Sequence, residues 1–141
     1  MLQEGERVFY ADNSRDYLTR CDVFARVVRA AGLVPVFYGG VGNVVRQSNV
    51  DAEIRSDFYA ARAIVLYFGT PKEGSDYEDH WVLQEIRHLA QSDVLCLVYV
   101  SKDFPREILA THGYHGEVEV VSSDADFGTM LQQGLAKLTA S

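Results

Sequence analysis

Cysteine is scarce in this sequence and stands in none of the spacings that bind metals or form redox pairs. Cys21 and Cys96 are the only two, each in an apolar setting and far from the other. No C-x-x-C pair and no Cys/His pattern includes them. We therefore expect two reduced core thiols in a cytoplasmic protein, with no metal site.

Long apolar runs and an excess of basic residues are missing too. No apolar stretch approaches the ~20 residues that span a bilayer, and the acidic start, MLQEGERVFY, has too few apolar residues for a secretory signal. The chain has 13 Lys and Arg against 20 Asp and Glu, which gives a net charge of -7. Because nucleic acids and anionic membranes are bound through clustered Lys and Arg, we expect neither as a partner.

The glycine motifs that bind nucleotide phosphates are also missing. There is no GxxxxGK[ST], and the Gly-rich string YGGVGNVV at 38–45 lacks the GxGxxG spacing of dinucleotide folds. A phospho-receiver domain is excluded because the third apolar run ends in Tyr67, Phe68 and Gly69 rather than in an acceptor aspartate. We interpret the string at 38–45 as a loop that can act as a lid at the rim of a ligand crevice.

Five apolar, β-rich runs alternate with segments of helical spacing over the whole chain, 1–141, which we interpret as one domain. Strict alternation of strand and helix favours a parallel sheet with right-handed crossovers. We predict an α/β, flavodoxin-like three-layer sandwich with a five-stranded parallel sheet in the order 2-1-3-4-5. The predicted strands are 7–11, 33–38, 63–69, 94–100 and 117–121.

This strand order predicts a ligand crevice at the carboxyl ends of the first and third strands. The residues expected there are 11–14 after the first strand, 39–46 after the second and 69–79 after the third. The acidic string EGSDYEDH at 73–80 would repel phosphates, so we expect these near Arg46 or near the backbone amides beside Ala11.

The string EDHWVLQEIRHLAQ, 78–91, has the spacing of a helix and contains the only tryptophan of the chain. Residues four apart share a helix face, so Trp81 and Glu85 would present an aromatic plate beside a carboxylate. By itself such a pair is more typical of a core tryptophan and a solvated surface acid.

Several strings together resemble the TIR domain family. RVFYADNSRDYL is similar to the first strand and following loop of TIR domains, and DHWVLQEI is similar to their third-helix motif, with the local form W-V-x-x-E-I. The loop after the second strand stands where the family has its BB loop, and AEIRSDFYAARAIVLYFG is similar to the family's segment ahead of and through the third strand. The resemblance covers about residues 7 to 110. The sequence departs from the family at Ala11, where many members have Tyr, and in the FGT that ends the third strand.

The resemblance implies an enzyme that cleaves the nicotinamide N-glycosidic bond of NAD, which is its substrate rather than a cofactor. Loss of nicotinamide expels a neutral amide from an already cationic ring, so one carboxylate that stabilises the ribose oxocarbenium ion suffices. The resemblance implies Glu85 as the catalytic carboxylate. The residues expected to bind the substrate are Tyr10, Ala11, Asp12, Gly40, Arg46, Gly69, Tyr77 and Trp81.

Two alternatives stay open at this point. A TIR domain can act as a non-catalytic adaptor or nucleotide sensor. A nucleoside deoxyribosyltransferase-like enzyme shares the sandwich and a glutamate on a comparable helix, and its neutral leaving base would benefit from an acid such as Asp76, Tyr77 or Asp79. Two roles are open for Asp12 and Ser14: they contact the ribose, or they cap the first helix.

The resemblance also implies partners. TIR enzymes build the site between neighbouring subunits, so we expect self-association through the loop 39–49 and neighbouring helices, and activation by a sensor domain or a partner. The implied setting is cytoplasmic signalling or antiviral defence by NAD depletion.

Overall fold

The computed structural model describes residues 1–12, 14–37, 56–78, 81–84, 86–90 and 92–139. For Trp81, Gln84, His88 and Ala90 it describes the backbone only. The predictions for Gly40, Arg46 and Glu85, and for the loop 39–49, lie outside the described residues.

The sheet confirms the predicted fold class. Five parallel strands pair in the order β2-β1-β3-β4-β5, consistent with a flavodoxin-like α/β fold. The two central pairs are the longest, because β3 pairs with β1 and β4 over five and six residues respectively. The strands are β1 (Arg7–Asp12), β2 (Val34–Val36), β3 (Ala63–Phe68), β4 (Leu95–Ser101) and β5 (Glu119–Val121).

Helices connect the strands as predicted, with different bounds in the middle of the chain. The segment 78–91 was predicted as one α-helix, whereas the structure has a 3-10 turn at Trp81–Gln84 and an α-helix at Ile86–Ala90. Such 3-10 turns are common at helix N-termini. The helices are α1 (Tyr17–Ala30), α2 (56–60), α3 (Ile86–Ala90), α4 (Glu107–Thr111) and α5 (Asp124–Thr139). In the part of the chain that is described, no helix is long and apolar enough to cross a membrane.

Successive residues of a strand point to opposite faces of the sheet, which divides the core into two clusters. Val8 and Tyr10 of β1 pack with α1 and α5, a side that we call the α1/α5 face. Phe9 and Ala11 pack on the other side, which we call the α3 face, with Phe58, the 3-10 turn and α3. Every residue of β3 is buried, because helices cover both faces of this strand.

The strand β2 is less buried than β3. It has three residues, it pairs with β1 alone, and its Val34 is 42% exposed. Pro35 fits this position, because proline lacks the N–H that a central strand would use. β2 is therefore an edge strand rather than a fully covered one.

Candidate functional site at the carboxyl edge of the sheet

The loops that follow β1 and β3 are joined to each other. The Gly69 amide donates a hydrogen bond to Ser14 Oγ at 2.7 Å, and the Arg15 amide donates to the Thr70 carbonyl at 2.8 Å. A side chain at Gly69 would collide with the Tyr67 ring, since an added Cβ would lie 2.6 Å from it. The close approach of the two loops therefore depends on glycine at this position.

A buried ion pair lies directly behind this junction. Arg20 Nε donates to Asp12 Oδ2 at 2.5 Å; the Asp12 side chain is fully buried and that of Arg20 is 4% exposed. The Tyr10 hydroxyl and the Ser14 amide also donate to the Asp12 carboxylate, at 2.6 and 2.8 Å. Three donors of different kinds thus satisfy one carboxylate that has no access to water.

Arg20 also contacts three further segments of the chain. Its guanidinium donates to the Arg15 carbonyl and, at 3.2 Å, to Asp124 at the start of α5. It also lies over the Tyr67 ring, 4.3 Å from the centroid, a cation-π contact. These contacts link the loop after β1, the end of β3 and the first turn of α5.

The pKa values of this network follow from burial and pairing. Burial raises the pKa of Asp12, and the hydrogen bonds and charge of Arg20 oppose that rise. Burial also raises the pKa of Tyr10 well above its ordinary value. Burial raises the pKa of the Cys21 and Cys96 thiols to about 12, so neither is a thiolate nucleophile at neutral pH.

A second carboxylate, Asp103, lies beyond the ends of β3 and β4 and accepts hydrogen bonds from several hydroxyl groups. It accepts hydrogen bonds from Ser101 Oγ at 2.5 Å, Thr70 Oγ1 at 2.6 Å and the Tyr77 hydroxyl at 2.8 Å. Its partial burial acts to raise the pKa, but these hydrogen bonds prevail and lower the pKa to about 2. Asp103 is therefore ionised at neutral pH and holds three segments together.

A cavity of about 370 Å³, which we call the edge cavity, is lined by Asp103 and by Arg20, the partner of Asp12. Its walls come from the carboxyl ends of four strands and from the first turn of α5. The lining residues are Ser14, Arg15, Asp16, Arg20, Tyr67, Thr70, Ser101, Lys102, Asp103, Val121, Ser122, Ser123 and Asp124.

The segment that resembles the TIR motif lies on the opposite face of the sheet. Val82, Leu83, Ile86 and Leu89 are all buried there against β3 and β4, so they form the apolar side of this segment. Trp81 is described by its backbone alone and Glu85 is not described, so their pairing stays a prediction.

Some predicted substrate residues are brought together and others are separated. Gly69 and Tyr77 line one small cleft beside Ser14, of about 10 Å³, which holds at most a single water. Ala11 is 5% exposed and packs on the α3 face. Tyr10 packs on the α1/α5 face, with its hydroxyl committed to Asp12.

The prediction that Asp12 or Ser14 caps the first helix is wrong. The N-cap of α1 is Asp16, in the left-handed region at φ 62°, and no side chain caps the helix. The Asp12 carboxylate instead accepts the Ser14 amide and the Arg20 guanidinium.

The sequence reasoning did not identify Arg20 and Asp103. A signal for Arg20 was present, because Arg20, Phe24 and Val28 recur at four-residue spacing on the buried stripe of α1. An arginine on such a stripe needs a buried anion, and the strand before it ends in Asp12. For Asp103 no local signal existed, since two of its three partners come from a distant loop.

The described residues contain no group of three His, Cys, Asp or Glu placed to hold a metal ion. No family model matches the chain, and no curated protein matches it significantly.

Proposed function

We propose that this chain is a TIR-like domain that cleaves the nicotinamide N-glycosidic bond of NAD, with Glu85 as the catalytic carboxylate. The observation that supports the proposal is the strand order 2-1-3-4-5 with the loops after β1 and β3 joined at the carboxyl edge. In open α/β sheets, ligands bind outside the carboxyl ends of the strands where the order reverses. The string W-V-x-x-E-I lies in the connection from β3 to β4, beside that point in the topology.

The reaction needs little from the protein. The bond between ribose C1' and the nicotinamide nitrogen breaks with its electron pair going to the neutral amide, and the ribose becomes an oxocarbenium ion. A carboxylate beside C1' stabilises that cation and orients the ribose diol. Water or a nucleophile within the same molecule then attacks C1', which gives hydrolysis or cyclisation. Trp81 would stack on an aromatic ring or exclude water.

The packing of the motif segment is consistent with this role for Glu85. Its neighbours Val82, Leu83 and Ile86 are anchored in the core, with exposures of 0 to 2%. Rigid neighbours hold a catalytic group more precisely than a loop does. Glu85→Gln keeps the side-chain volume, so we expect the variant to fold.

The test is nicotinamide release from NAD at high protein concentration with a crowding agent. Wild type should release nicotinamide, Glu85→Gln should not, and Glu107→Gln, an exposed acid on α4, should match wild type. A Glu85→Gln variant that stays fully active would remove Glu85 from the mechanism. No release by wild type, with nucleosides also left intact, would favour the adaptor or sensor function.

The proposal extends to the assembly and its setting. We assign self-association to the loop 39–49 and neighbouring helices, activation to a sensor domain or partner, and the setting to cytoplasmic defence or signalling. An increase of specific activity with protein concentration is the expected sign of assembly. A specific activity that does not change with concentration would contradict it.

A further inference from the structure

Part of the lining of the edge cavity belongs to the α1/α5 face. Tyr67 packs in the α1/α5 cluster and Arg20 lies over its ring, whereas Val82 and Ile86 pack on the α3 face. Its volume of about 370 Å³ falls within the range of small-molecule sites. The cavity therefore has the size and the position of a separate ligand site.

Two cations at its rim make no ion pair with any described carboxylate. Arg15 and Lys102 are exposed and line the same cavity as three aspartates. Neither takes part in an ion pair among the described residues. The charge of Arg20, by contrast, is taken by Asp12 and Asp124. Arg15 and Lys102 thus offer their charge to an anion that enters the cavity.

The wall formed by the end of β5 offers further donors for the same anion. Ser122 and Ser123 line the cavity immediately before α5, a helix of 16 residues whose axis begins there. Ser123 Oγ accepts the Asp126 amide at 3.3 Å, which leaves the hydroxyl hydrogen of Ser123 to donate. The helix dipole adds to the attraction for a negative group at this end.

The carboxylates in the cavity would oppose a bare anion and would suit a ligand that also carries hydroxyl groups. Asp16 lines the cavity, and Asp103, which accepts hydrogen bonds from Thr70, Ser101 and Tyr77, keeps about one of the four acceptor sites of a carboxylate. Carboxylates accept hydrogen bonds from a sugar diol, and Arg and Lys donate hydrogen bonds to a phosphate. Anion donors and diol acceptors therefore stand within one cavity.

We propose that the edge cavity binds a phosphorylated ribose, as in ribose 5-phosphate or the sugar-phosphate end of a mononucleotide. The phosphate lies between Arg15, Lys102 and the start of α5, and the ribose hydroxyls lie against Asp16 and Asp103. None of the described lining residues belongs to the segment 81–90, so the site adds a second ligand to the proposed function rather than resting on it.

The test is calorimetric titration of ribose 5-phosphate into the intact chain. The double variant Arg15→Gln/Lys102→Gln should weaken binding by about tenfold or more, because two charge-assisted contacts are lost. The matched control Arg29→Gln/Lys137→Gln changes the net charge equally at exposed positions in the last turns of α1 and α5, and should stay within about twofold of wild type. Glu85→Gln should bind as wild type does.

Four results would overturn the proposal. They are no saturable binding to wild type at millimolar ligand, equal weakening in both double variants, loss of binding in Glu85→Gln, and inorganic phosphate binding as tightly as ribose 5-phosphate. Nicotinamide release from NAD is measured separately, so failure of this site and failure of the proposed activity are distinguishable.

Discussion

The two faces of the sheet are built from different chemistry. The α1/α5 face contains a buried ion pair, Asp12 with Arg20, and the Tyr10 hydroxyl, which donates to Asp12. The buried cluster of the α3 face is apolar and includes the anchors of the TIR-like segment. Polar contacts depend on exact geometry, whereas apolar packing depends on volume, so the two faces should respond differently to the same kind of substitution.

The largest effect is expected from breaking the buried pair on the α1/α5 face. Arg20→Met keeps much of the side-chain volume but leaves the buried Asp12 without its cation. Removal of one partner of such a pair should lower the free energy of unfolding by about 3–5 kcal/mol. Urea unfolding followed by circular dichroism measures the change.

The control for this substitution is Arg26→Met, an exposed position on the same helix, which should stay within about 0.5 kcal/mol of wild type. The double variant Asp12→Asn/Arg20→Met removes the orphaned charge and should recover part of the loss. If Arg20→Met lowers the free energy of unfolding no more than Arg26→Met does, the buried ion pair does not stabilise the α1/α5 face.

The α3 face should tolerate a change of shape that keeps volume. Leu83 is 2% exposed, and Leu83→Ala should cost about 2–5 kcal/mol because it leaves a cavity. Leu83→Met keeps the volume and should cost less than about 1.5 kcal/mol. If both variants lose the same stability in urea unfolding, volume does not govern this face.

A smaller effect is expected at the junction of the two loops. Ser14→Ala removes the acceptor of the buried Gly69 amide, so this donor is left unsatisfied. The expected loss is about 1–3 kcal/mol. Ser122→Ala, at an exposed serine, is the matched control and should be near neutral in the same unfolding measurement.

The smallest effect is expected at Asp103 and depends on pH. Its folded-state pKa of about 2 lies below the ordinary value of 3.8, so its contribution to stability is complete above about pH 4 and is lost as the pH falls toward 2. Asp103→Asn should therefore differ from wild type at pH 5 and converge with it near pH 2. The group is largely exposed, so the difference should be modest. Urea midpoints across this range measure it, and a difference that does not change with pH would exclude ionisation as its source.

The sequence predicted the fold better than it predicted the contacts at the carboxyl edge. The positions of the strands and the buried side of the segment 81–90 follow from apolar periodicity, which is a local property of the chain. The predicted role of Tyr10 rested on its position at the end of a strand. Side chains alternate between the two faces of a sheet, and the sequence of one strand does not show which face α1 and α5 cover. The Tyr10 hydroxyl lies on the α1/α5 face and donates to Asp12.

By itself the sequence determined the order of strands and helices along the chain and the apolar stripe of most of them, since these depend on spacing along a single segment. Only the tertiary structure decided the pairing of Asp12 with Arg20, the three donors around Asp103 and the edge cavity. The physical reason is that each joins residues from separate segments. Their distances are set by the strand order and by which face each crossover covers, and neither is encoded in the spacing of any one segment.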